Sequence, residues 1–325
     1  MGVMKGIGAG LALAFVAVSC RGGQADVATP PAAPAEVEET SGAPVAVGTE
    51  GETGDIGATS ELITFFSDRS GNLDVWVVPA AGGEPVQLSD HPSDDYEPDW
   101  SPDGRLIVFA SKRGGGAADL YLMNPDGTNV RRLTDTPEWT DDYPAFSPDG
   151  RTVVFQRTFE DRTPVTAEIV LLDLLTGEET LFTDNDDWDS TPSFSPDGDW
   201  VLFESNRTGT FEIWKVRRDG SEPTRLTDSP GGTTNLEARF SPDGSRIIYT
   251  TRARNAGDLV LMSADGGQVL RLTRTDDADG HGEWSPDGGT IVFHRSGDLY
   301  LMDADGHNLR RLTSGPGRDL DPHWG

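Results

Sequence analysis

The chain has 325 residues, and its 26 Lys plus Arg stand against 55 Asp plus Glu for a net charge of −29. So acidic a protein repels phosphate backbones and anionic head groups, and no basic stripe offsets the field, which argues against a nucleic-acid partner. Its one cysteine, Cys20, rules out a disulfide within the chain and any cysteine-cluster metal site, while 39 Gly and 22 Pro suit a turn-rich, all-β protein.

At the N-terminus Lys5 precedes an apolar run, Ile7 to Val18, that is short for a membrane span and ends in Ala17-Val18-Ser19 before Cys20. Residues 1–19 therefore read as a secretory signal peptide. A Cys at the cleavage point resembles the bacterial lipobox, although Ala17 stands where Leu is commoner. The resemblance implies lipid on Cys20 and a membrane anchor. Arg21, in place of Asp, resembles lipoproteins sent to an outer membrane. From Arg21 to Glu61 there are eight acidic residues, one Arg and no aromatic. Residues 20–61 are expected to be a disordered acidic tether with a root-mean-square reach of ~35 Å.

From residue 62 onward one pattern recurs. Ser-Pro-Asp-Gly stands at Ser101, Ser147, Ser195, Ser241 and Ser285, at intervals of 46, 48, 46 and 44 residues, and each copy follows an aromatic: Trp100, Phe146, Phe194, Phe240 or Trp284. Pro fixes φ, Asp tolerates the third position and Gly takes a positive φ, so each copy predicts a tight hairpin. A period of this size signals a repeat architecture. Each unit predicts four short strands. The second are continuous apolar runs, such as Leu106 to Phe109 and Ile291 to Phe293, as expected of strands covered on both faces. The third include Leu120 to Met123 and Leu299 to Met302, and the fourth end in Leu-Thr, as in Arg132-Leu133-Thr134. The third unit departs, with Leu174-Leu175-Thr176-Gly177 in place of an Asp-Gly turn. Six fourth strands but five Ser-Pro-Asp-Gly turns leave Asp321-Pro322-His323-Trp324 as a leading strand without a successor. It is expected to join the first unit and close a six-bladed ring of four-stranded antiparallel blades over residues 62–325.

The string Trp/Phe-Ser-Pro-Asp-Gly, then Phe-x-Ser-x-Arg as in Phe203 to Arg207, then Leu-Tyr-Leu-Met, then Arg-Arg-Leu-Thr resembles the repeats of TolB-type six-bladed β-propellers, the WD40-like Pro-Asp repeat family, over residues 62 to 324. The resemblance implies the fold and a bacterial envelope location. TolB carries an α/β domain ahead of its propeller, and here the tether occupies that place.

Five residues before each aromatic stand Asp95, Asp141, Asp189, Asn235, Asp279 and Asp319, expected to ring the channel mouth. Two readings stand: a site for a cation or a cationic segment, or loop caps bonded to backbone N–H groups. A second ring, Asp74, Asp119, Glu168, Glu212, Asp258 and Asp298, opens the third strands. Arg69, Arg113, Arg207, Arg252 and Arg295, a few residues earlier, are expected to pair with it. Of five histidines, His281 and His323 fall on leading strands, and with Asp279 and Asp321 they could ligate a divalent cation such as Ca2+. Trp139 and Trp188 are expected to flank the mouth, beside a long loop from Arg157 to Ala167. No Gly-x-Ser-x-Gly elbow, P-loop or dinucleotide fingerprint occurs. The reading is a monomeric, lipid-anchored binding module on the periplasmic or extracellular side, without an obligatory cofactor, facing an envelope protein or peptide. The alternative is a metal-dependent polysaccharide lyase or hydrolase.

Overall fold

The computed structural model describes residues 62–229, 231–253 and 256–325. The signal peptide, Cys20 and the tether lie outside the described residues. Strands follow one another in chain order. The first unit supplies β1 (Leu62–Ser67), β2 (Asp74–Pro79) and β3 (Val86–Gln87). Five full units follow: β4 (Asp95–Trp100), β5 (Ile107–Ser111), β6 (Asp119–Met123) and β7 (Arg131–Arg132); β8 (Thr140–Phe146), β9 (Thr152–Phe159), β10 (Thr166–Asp173) and β11 (Glu179–Leu181); β12 (Asp189–Phe194), β13 (Trp200–Ser205), β14 (Glu212–Arg217) and β15 (Thr224–Arg225); β16 (Thr234–Phe240), β17 (Arg246–Ala253), β18 (Ala256–Ser263) and β19 (Leu270–Arg271); β20 (Asp279–Trp284), β21 (Thr290–Arg295), β22 (Asp298–Asp303) and β23 (Arg310–Arg311). Last comes β24 (Asp319–Trp324), which pairs antiparallel with β1 and completes the first sheet in the order β24-β1-β2-β3. The six sheets are the expected propeller, closed by the C-terminal strand.

The turns form for the reason their sequence gives. In each Ser-Pro-Asp-Gly copy the Ser Oγ donates to the Asp carboxylate and accepts the N–H five residues on, as when Ser147 receives Thr152 N at 3.0 Å and donates to Asp149 at 2.6 Å. The Gly adopts φ between 66° and 74°, a region that costs an L side chain energy. In the departing third unit, Asp173 Oδ1 accepts the N–H groups of Leu175 and Thr176, so an Asx turn does the work of Asp-Gly.

The second strands are buried throughout in β5 and β9. The core divides into six clusters, each spanning two neighbouring blades. Val75 and Val77 of the first blade, for instance, meet Trp100, Ile107, Phe109, Tyr121 and Met123 of the second. The fourth strands are two or three residues long and end before the Leu-Thr pair that was expected to close them. That pair clamps instead of extending. Thr134 Oγ1 accepts Leu120 N at 3.0 Å, and Thr183, Thr227, Thr273 and Thr313 repeat the contact in other blades. The loop expected over Arg157 to Ala167 is also shorter, because β9 and β10 pair as far as Phe159 and Thr166.

Candidate functional site

The leading strands β4, β8, β12, β16, β20 and β24 stand side by side around the axis. The expected mouth ring, the first or second residue of each of these strands, is at most 2% exposed. Arg113 binds Asp95 at 2.6 Å, Arg207 binds Asp189 at 2.7 Å, and Arg69 binds Asp319. Arg157 and Arg295 grip Asp141 and Asp279 through two nitrogens each. The Phe-x-Ser-x-Arg motif explains the geometry: Ser67, Ser111 and Ser205 accept the Nε–H of the arginine two residues on. Those guanidinium groups lie over the motif Phe and a third-strand aromatic, as Arg207 does over Phe203 and Trp214.

This corrects the expected pairing, in which the same arginines served the third-strand acids. Strand register decides it, because Asp95 stands directly opposite Ser111 and brings Arg113 over the leading strand. The third-strand acids turn outward along their own blade. Asp119, Asp258 and Asp298 meet Arg132, Arg271 and Arg311, and Glu168 and Glu212 accept Thr183 and Thr227. Where the ring carries Asn235, its amide donates to Glu212 and Ser229, and Arg252 is released to Glu237 at 3.0 Å.

A second layer carries more varied chemistry. Three residues before each aromatic stand Glu97, Tyr143, Thr191, Glu237, His281 and Asp321, all with φ between 48° and 60°. Each lies where the register with the second strand slips, so six bulges re-aim six side chains of five types. His281 bridges two carboxyls, Glu237 through Nε2 at 3.0 Å and Asp321 through Nδ1 at 3.1 Å. Glu237 also receives Thr250, Arg252 and the His281 backbone N–H. Gly280 makes room beside them: a Cβ there would stand 2.9 Å from His294 Nε2 and 3.1 Å from Glu237 Oε2.

Burial and crowding separate the titrations. Glu204 is pushed up to about 7 by burial and by Glu237. Glu97, Asp142 and Asp321 are also raised, burial being the main cause in each. Glu237 moves well below the usual carboxylate range, because Arg252 and His281 overcome its burial. Asp321 and Glu237 likewise overcome burial at His281 and raise it, whereas burial and His281 hold His294 down at about 3.

The four metal candidates are not brought together. His281 meets Asp321, Asp279 is held by Arg295, and His323 Nδ1 faces Asp99 at 3.3 Å. Among the described residues no group of three or more His, Cys, Asp or Glu is arranged to hold a metal ion. Trp139 donates to Asp161 at 3.1 Å and packs edge-on to Phe159, and Trp188 is half-buried.

The profile of the TolB beta propeller domain matches residues 58–143 and 138–325. The chain belongs to the TolB β-propeller family. A Tol-Pal system protein TolB of Francisella tularensis subsp. holarctica is 30% identical over 158 residues, 48% of this chain and 35% of that one. Matches to curated relatives span from 12% to 49% of those proteins, so the chain covers about half of their length at most. Among solved structures, TolB from Acinetobacter baumannii superposes with a TM-score of 0.69 at 23% identity, covering 82% of this chain and 67% of that one. An oligogalacturonate lyase in complex with manganese gives 0.59 at 17%, covering 79% and 75%. At those identities the two structures are alike in fold.

Missing from the expected site were Glu97, Asp142, Tyr143, Glu204, Glu237, Arg252 and His294. For Glu97, Tyr143 and Glu237 the signal in the sequence is a break in repetition: the third position before the aromatic holds five residue types in six units.

Proposed function

We propose that this TolB-family propeller is an interaction module of the bacterial envelope, anchored through lipid on Cys20 and held off the membrane by residues 20–61. The blade-to-blade loops present one end of the channel to an envelope protein or peptide. The observation that carries this reading is the family match over the whole propeller, joined by relatives that are Tol-Pal system proteins. The second layer fits a cationic or donor-rich segment. Glu97, Asp142 and Asp321 crowd there with raised pKa values, and Asp142 Oδ1 accepts no hydrogen bond among the described residues. A Lys, an Arg or a peptide amine would relieve that crowding.

The test is retention of envelope proteins on immobilised propeller, read by mass spectrometry, with a Glu97→Gln/Asp142→Asn variant alongside. One dominant envelope protein should be retained, weakened by salt and reduced roughly tenfold in the variant, which corresponds to about 1.4 kcal/mol. An unchanged or empty catch refutes the reading. In cells, Cys20→Ser should shift the protein from the membrane pellet to the soluble fraction.

A further inference from the structure

The leading strands carry another ring, one residue before each aromatic, at the end of the channel bearing the Ser-Pro-Asp-Gly turns. In order around the axis it reads Asp99, Ala145, Ser193, Arg239, Glu283 and His323. These residues line a cavity of about 220 Å³, and Phe146 and Phe194 form part of its wall.

The two sides of the cavity differ. On one, guanidinium, carboxyl, imidazole and carboxylate alternate: Arg239 Nε lies 3.3 Å from Glu283 Oε2, and His323 Nδ1 lies 3.9 Å from Glu283 Oε2 and 3.3 Å from Asp99 Oδ1. On the other stand Ala145 and Ser193, whose hydroxyl donates to Ala238 O at 2.9 Å, with Phe146 and Phe194 beside them. The acceptors are partly used internally, since Asp99 Oδ2 takes Phe146 N–H at 2.7 Å and Glu283 Oε1 takes Trp284 N–H at 2.9 Å. Arg239 Nη1 donates to Ala238 O at 3.0 Å.

An anion entering this cavity meets Asp99 and Glu283, and a cation meets Arg239, so full charge of either sign is opposed. A hydroxyl both donates and accepts, and therefore suits a wall where the two alternate. An apolar ring face suits the opposite wall. The volume equals about seven water volumes and lies below the roughly 300–1,000 Å³ of drug-sized sites, which limits the occupant to a single ring. We propose that this cavity binds a neutral sugar unit, with its hydroxyls toward Arg239, Glu283, His323 and Asp99 and its apolar face toward Phe146 and Phe194. The site lies at the other end of the channel from the protein-binding mouth and does not depend on it.

The test titrates the full chain with glucose and N-acetylglucosamine, and with the charged analogues glucosamine and glucuronate. Binding is read by calorimetry and by fluorescence of Trp284 and Trp324, which also line the cavity. At least one neutral sugar should bind saturably, with the charged analogues at least tenfold weaker. Arg239→Gln and Asp99→Asn should each raise Kd at least tenfold. Ser193→Leu, which fills the cavity without touching the charged wall, should abolish binding while thermal unfolding stays cooperative. Leu175→Ser, on the exposed outer edge, should change nothing. No saturable binding of either neutral sugar, equal binding of the charged analogues, or binding that survives in folded Ser193→Leu overturns the proposal.

Discussion

At the scale of single residues, the arginine–aspartate pairs are the interactions that the fold can least lose. Arg157 and Asp141 have side chains 7% and 0% exposed and share two hydrogen bonds at 2.7 and 2.9 Å. Removing one partner leaves a buried charge uncompensated, so Arg157→Ala should lower unfolding free energy in urea by about 3–5 kcal/mol. Replacing both partners should cost less than the sum of the two single changes. Glu204 gives a pH signature. Its folded pKa of about 7 stands above the ~4.3 of a free glutamate, so its contribution to stability is complete below ~4.3 and is lost as pH rises through about 7. Glu204→Gln keeps an acceptor for Glu237 N–H and removes that loss. It should be the more stable protein at pH 8, by up to ~3 kcal/mol, and should converge with the parent only below ~4.3. His294 acts in the opposite sense: held at about 3, its contribution is present above ~6.5 and declines as pH falls toward about 3. Comparison of the two proteins cancels that common slope.

At the scale of the element, what the sequence made legible was whatever repeats. The apolar second strands and the five turns stand where their residues place them, because Pro-Asp-Gly chemistry and continuous apolar runs act locally. The partners of Arg113 and Arg207 could not be read that way. Each arginine is a short reach from two acids, and only the pairing of Asp95 with Ser111, or of Asp189 with Ser205, selects one. The bulged second layer was hidden for a related reason: a slip in register leaves no composition signal, and the residues it turns toward the axis are not alike. The turns offer a direct test. Ser147 is fully buried, and its hydroxyl holds both Asp149 and Thr152 N–H. Ser147→Ala orphans a buried donor and should cost about 1–3 kcal/mol by thermal or urea unfolding, whereas Ser147→Thr keeps the hydroxyl and should cost less.

At the scale of the whole molecule, closure rests on one strand. β24 supplies the leading position of the first sheet, pairing Ile63 with Trp324 and Ser67 with Asp319, and Gly325 N donates to Leu62 O at 2.9 Å. Deleting residues 319–325 should uncover the β1 edge and the cores on both sides of that blade, giving an aggregating or broadly melting protein by calorimetry. A circular permutant that places residues 319–325 ahead of Leu62, joined by Ser-Pro-Asp-Gly, should restore a single cooperative transition, because the other five blades use that same join. Failure of the permutant to fold would show that the seam depends on more than strand pairing. The seam also sets a timetable. During synthesis or export β24 follows β1 by some 250 residues, so the ring cannot lock until β24 has emerged, whatever the other blades have already done. Closure of the ring thus waits on β24, and no blade made before it can substitute for that strand.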